Sequence, residues 1–89
     1  MSVVQLPAAV TMQNASAALR SVEAAVAQGG ELVVDASALA ELDTSAVALL
    51  LQARRLAQAK GLGFRLQAPP ARLTALAQLY GVEPLLSAA

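Results

Sequence analysis

Five residues able to do chemistry fall close together: the carboxylates of Asp35, Glu41 and Asp43, and the hydroxyls of Thr44 and Ser45. Paired carboxylates can run general acid–base chemistry, and a serine can act as a nucleophile once a base takes its proton. The necessary partners are missing. The chain has no histidine and no cysteine, which removes imidazole catalysis, thiolate chemistry, disulfides and the common zinc sites. Lys60 lies about four helical turns from Ser45, too far to serve as its base. Each carboxylate has a plainer reading as well. Asp35 ends a strand, Glu41 is solvated, and Asp43 caps a helix. No catalytic residue, metal or cofactor is expected.

Leu32-Val33-Val34-Asp35 has the outline of a Walker B strand. The outline alone says little, because any buried strand ending in aspartate shares it, and no phosphate-binding G-x-x-x-x-G-K-[ST] loop accompanies it. Gly61-Leu62-Gly63 lacks the third glycine and following helix of a dinucleotide fingerprint. Six basic and six acidic residues cancel, so no long-range field draws in nucleic acid or anionic lipid. One Tyr and one Phe cannot build a base-stacking platform. No basic leader precedes an apolar core at the N-terminus, and the longest strictly apolar run, Ala46 to Leu51, is far short of a membrane span. The expectation is a cytoplasmic chain that neither enters the membrane nor takes a small-molecule substrate. Its apolar share is 57%, against a usual value of about 45–50%. That excess on so small a body points to apolar surface covered by a partner.

The elements holding these residues follow from periodicity. Val3-Val4-Gln5-Leu6 reads as a strand stopped by Pro7, and Ala8-Ala9-Val10-Thr11 as a second short strand. Ala15, Ala18, Leu19, Val22 and Val26 make one helical stripe, with Thr11 or Asn14 as its cap and Gly29-Gly30 as its stop. Leu32-Val33-Val34 predicts a strand covered on both sides, followed by a loop from Ala36 to Leu42. Asp43-Thr44-Ser45 starts a helix that runs to about Lys60. Gly63 to Gln67 alternates like a half-exposed strand; Pro69-Pro70 opens a last helix whose packing face is Leu73, Leu76, Ala77 and Tyr80. Gly81 caps it, Pro84 blocks its continuation, and the tail from Leu85 to Ala89 is weakly specified. The unit from Leu32 to Gln67 is a parallel crossover. Residues 1–89 read as one domain.

The helix beginning at Thr44 is the informative one. At about 100° per residue, Ala46, Leu49, Leu50, Ala53, Leu56 and Ala57 share the packing stripe. Thr44, Val47, Ala48, Leu51, Arg55 and Gln58 fall opposite, so Val47 and Leu51 are apolar where a surface helix would be polar. A docking face over the first two turns, with Thr44, Ser45, Val47, Ala48, Leu51 and Arg55 in contact with a partner, accounts for that pattern. Free N–H groups at the helix start add acceptor-binding capacity.

Leu32 to Asp35 followed by Leu42-Asp43-Thr44-Ser45-Ala46-Val47-Ala48-Leu49-Leu50 resembles the STAS-domain family, and Leu73 to Leu86, with its Leu79-Tyr80-Gly81-Val82 core, resembles that family's MlaB-type branch. The resemblance implies a STAS-like (SpoIIAA-like) α/β domain with about four strands in a mixed sheet flanked by three helices. It implies an accessory subunit of an intermembrane phospholipid-transport (Mla) system. Such a subunit binds an MlaF-like ABC ATPase and, through it, sits at the cytoplasmic face of an inner-membrane permease. Thr44 then matches the hydroxyl residue of the MlaB-type interface. Ser45 matches the serine phosphorylated in anti-sigma-factor antagonists, the alternative function. Where many family members have glycine after this serine, this chain has Ala46.

Overall fold

The computed structural model describes residues 1–86, so Ser87 to Ala89, the end of the weakly specified tail, lie outside the described residues. The order is β1 (Ser2–Gln5), β2 (Ala9–Val10), α1 (Ala15–Gln28), β3 (Leu32–Asp35), β4 (Glu41–Leu42), α2 (Thr44–Ala59), β5 (Phe64–Gln67), α3 (Ala71–Leu79) and α4 (Glu83–Leu86).

The α/β class and the placing of the long helices agree with the expectation; the sheet differs in detail. In place of one four-stranded mixed sheet there is a three-stranded sheet ordered β1-β3-β5 and a separate ladder β2-β4. Every pairing is parallel: Ser2 registers with Leu32 and Leu32 with Phe64, while Val10 registers with Leu42. The stretch read as a loop after β3 ends in β4, a two-residue strand too short to show periodicity. A fourth helix also appears. Pro84 stands in the first turn of α4 rather than blocking a helix, because its missing N–H costs nothing there.

Side chains alternate along β3, so its three buried residues lie on two faces. Leu32 and Val34 join the main core with Val4 of β1, while Val33 turns to the other face, between Val3 and Arg65 of the flanking strands. The core-side face is roofed by α1 and α2. Ala18, Val22 and Val26 of α1 are buried as their stripe predicts. The chain leaves α1 through Gly29 and Gly30, both at positive φ. A Cβ on Gly30 would sit 2.7 Å from the Met1 backbone nitrogen, so the close approach of β1 requires glycine.

Helix α2 is the hub. α1 packs on one flank, α3 and α4 on the other, and β5 lies against it. Ala46, Leu50, Ala53 and Ala57 are fully buried beneath it, and small side chains at three of these positions bring the helix close to the sheet.

Candidate partner-docking site

The site is organised by Asp43. Its extended backbone lets the carboxylate fold over the first turn of α2, where Oδ1 accepts from the Ser45 N–H at 2.8 Å. The other oxygen accepts from the Met12 N–H at 3.1 Å. Asp43 therefore caps α2 and ties its start to the loop ahead of α1. That loop is braced by Asn14. Although it occupies the N-cap position of α1, its side chain makes no capping bond. The amide instead accepts from the Thr11 N–H at 2.7 Å and donates to the Ala9 carbonyl.

The Ser45 N–H, aided by the Met12 N–H, lowers the Asp43 carboxyl below the usual carboxylate value. Asp35 is lowered likewise by the backbone and side chain of Ser37, whose N–H it receives at 2.9 Å. A depressed folded value means these bonds contribute fully above the unfolded carboxylate range and are lost as pH falls from it through the lower folded value. Asp43→Asn keeps a capping oxygen and removes the charge. Its melting temperature at pH 7 should drop by about 1–4 °C. Its further fall below about pH 4 should be shallower than the parent's. Thermal melts across a pH series check this.

The sequence-derived docking residues divide three ways. Thr44, Ala48 and Arg55 are exposed, and Ser45 and Leu51 are half-buried. Val47, expected on the open side, is only 4% exposed. The cause is tertiary: the connection between α3 and α4 comes down beside α2, and Val47 packs toward it. Val47 becomes the floor of a groove of about 410 Å³ lined by Thr44, Ala48, Leu51, Tyr80 and Val82. A second groove, about 260 Å³, runs along the other flank, where Ser45, Ala48 and Leu49 face Ala15, Ser16 and Leu19 of α1. Ala48 is the low crest between the two. Both are predominantly apolar. Among the described residues no group of three Asp, Glu, His or Cys is placed to hold a metal.

Tyr80 is the residue the sequence misplaced. It keeps its angular position in the Leu73–Ala77 stripe but stands just past the last turn of α3, with its N–H on the Leu76 carbonyl at 3.1 Å. Beyond the end of that helix there is no core to receive the ring, which lies over the Val47–Leu51 flank and is 55% exposed. Leu79 beside it is 75% exposed. The following Gly81, at φ +71, ends the helix at the ring, in keeping with its reading as the cap.

The chain belongs to the STAS-domain family. The family model that matches is described as "Mlab, STAS domain" and spans residues 1–87. Two solved structures share the fold. One is a Thermotoga maritima protein assigned as an anti-sigma factor antagonist, with TM-score 0.79, 16% identity, and coverage of 96% of this chain and 76% of that one. The other is the anti-sigma factor antagonist SpoIIAA in its unphosphorylated form, with TM-score 0.75, 21% identity, and coverage of 98% and 77%. No curated protein matches the chain. Among the described residues no helix is long and apolar enough to cross a membrane.

Proposed function

We propose that this chain is a non-catalytic accessory subunit that docks on the ABC ATPase of an intermembrane phospholipid-transport system, through the exposed start of α2. The observation that carries the reading is the groove formed by Thr44, Val47, Ala48, Leu51, Tyr80 and Val82. It is open and apolar, and it is built from the helix face and the Leu79-Tyr80-Gly81-Val82 segment that mark the MlaB-type branch. Membership of a family described as "Mlab, STAS domain" supports the choice of partner. The ATPase is the direct contact. The permease is reached only through it, which keeps this subunit at the cytoplasmic face without lipid or nucleic-acid contact of its own. Co-expression of the tagged chain with the ATPase of a lipid-transport ABC cluster should yield a stable complex. Recovery of the chain without the ATPase overturns the reading.

A second reading has an observation of its own. Ser45 is half-buried at the second position of α2, beside the α1 groove, and the two solved structures named above are of an anti-sigma factor antagonist and a protein assigned as one. A phosphate on Ser45 would add about −1.5 to −2 charge at a helix start, repelling an acidic partner without melting the helix. Phosphate found on Ser45 by mass spectrometry, after incubation with an anti-sigma kinase and ATP, favours a phosphorylation-switched antagonist. An unmodified Ser45 excludes that switch.

A further inference from the structure

We infer that the element seated in the α2–α3 groove is an amphipathic helix of the partner with carboxylates at one end, its acidic end over Arg54 and Arg55. This rests on the reading of the groove as a docking surface and adds the chemistry and direction of what fills it.

The first ground is shape. The groove is a trough between the exposed edge of one helix and the end of another, lined by Val47, Leu51, Tyr80 and Val82, with Ala48 as a low rim. Such a trough accepts the apolar stripe of a third helix, read as anchors three or four residues apart, and a small residue at the crossing allows close approach.

The second ground is charge. Helix α2 contains no acidic residue, yet it carries Arg54 and Arg55, with Lys60 directly after it. Arg54 lies on the same flank as Val47 and Leu51, and Arg55 one turn beyond Leu51, so both stand at the C-terminal end of the trough. Their side-chain bonds run to neutral groups of their own helix: Arg54 Nη1 donates to Gln58 Oε1 and Arg55 Nη1 to Gln52 Oε1, both at 3.3 Å. The nearby acids are committed elsewhere. Asp43 is held by Met12 and Ser45. Glu83 accepts from Gln78 at 3.1 Å and lines the cavity on the other side of α3.

The two ends of the trough therefore differ. At the start of α2 the Asp43 carboxylate already offsets the positive end of the helix dipole. At the far end, among the described residues, the two guanidiniums bond only to neutral groups of their own helix, on a chain with no net charge. Guanidinium forks are suited to two-point binding of carboxylates, which sets the direction of the bound helix.

The test uses the full chain and the purified ATPase subunit of a lipid-transport ABC cluster, with affinity measured at low and high salt. The double variant Arg54→Glu/Arg55→Glu should bind at least about tenfold more weakly at low salt, with the far-UV spectrum and melting temperature of the parent. Arg54→Gln/Arg55→Gln should fall between the two and guards against a folding defect in the reversed variant. Cross-linking the parent complex through an Ala48→Cys variant should locate the partner helix, and exchanging that helix's acids for lysines should restore binding to the glutamate variant. Parent-like affinity of both arginine variants overturns this inference while leaving the ATPase as partner. An ATPase that does not bind the parent chain overturns the underlying reading.

Discussion

Leu50→Ala should lower the stability of the folded chain by about 3 kcal/mol. Leu50 is fully buried in the middle of α2, inside the cluster that joins that helix to the sheet. Truncation removes most of a side chain and leaves a cavity that α2 cannot close. Ala46, Ala53 and Ala57 already hold it close to the strands, and its flanks are occupied by α1 and by α3–α4. A domain of this size has a total stability of about 4–13 kcal/mol, so the loss is a large fraction. It should appear as a melting temperature lower by about 12–24 °C, and as a lower urea midpoint with an unchanged slope. A loss under about 1 kcal/mol would mean that α2 is not the packed centre of the fold.

Leu51→Asp should weaken docking by about thirtyfold or more while sparing the fold. Leu51 is half-buried, so the folded monomer can hydrate a carboxylate at that position. In a complex the same group would be enclosed by Val47, Tyr80, Val82 and the partner's apolar stripe. Leaving a polar group unpaired there costs about 2 kcal/mol or more, which is about thirtyfold in affinity. The new carboxylate would also lie three and four residues before Arg54 and Arg55, where it would draw off the charge proposed to meet the partner's acids. Affinity for the ATPase, with circular dichroism to verify folding, checks this. Undiminished binding by a folded Leu51→Asp chain would remove the groove from the interface.

The elements were legible where a single period dominates. The α1 stripe ending at Gly29-Gly30 and the Asp43 cap follow from local pattern and composition, whereas the STAS-like architecture comes from the resemblance carried by Leu32 to Leu50 and Leu73 to Leu86. What local pattern cannot carry is which neighbour a flank meets. Val47 lies on the outward half of the α2 wheel, yet the α3–α4 connection buries it. Tyr80 lies on the inward stripe of α3, yet the helix ends beneath it and leaves the ring on the surface. Both displacements have one origin, the docking of α3–α4 against the side of α2, and together they turn the expected open docking face into a recess. The strand at Ala9-Val10 was legible, but its mate Glu41-Leu42 was not, because two residues at the end of a loop make no period.

The all-parallel register also dictates the order in which the chain can assemble. Ser2 must wait for Leu32, and Leu32 for Phe64, so neither ladder can zip from a hairpin, and each closes only after a whole intervening helix exists. As the polypeptide leaves the ribosome, Leu32-Val33-Val34 can acquire one mate from behind but keeps an unpaired greasy edge until β5 emerges. A nascent or truncated product ending before Phe64 is thus the form most exposed to strand-to-strand aggregation.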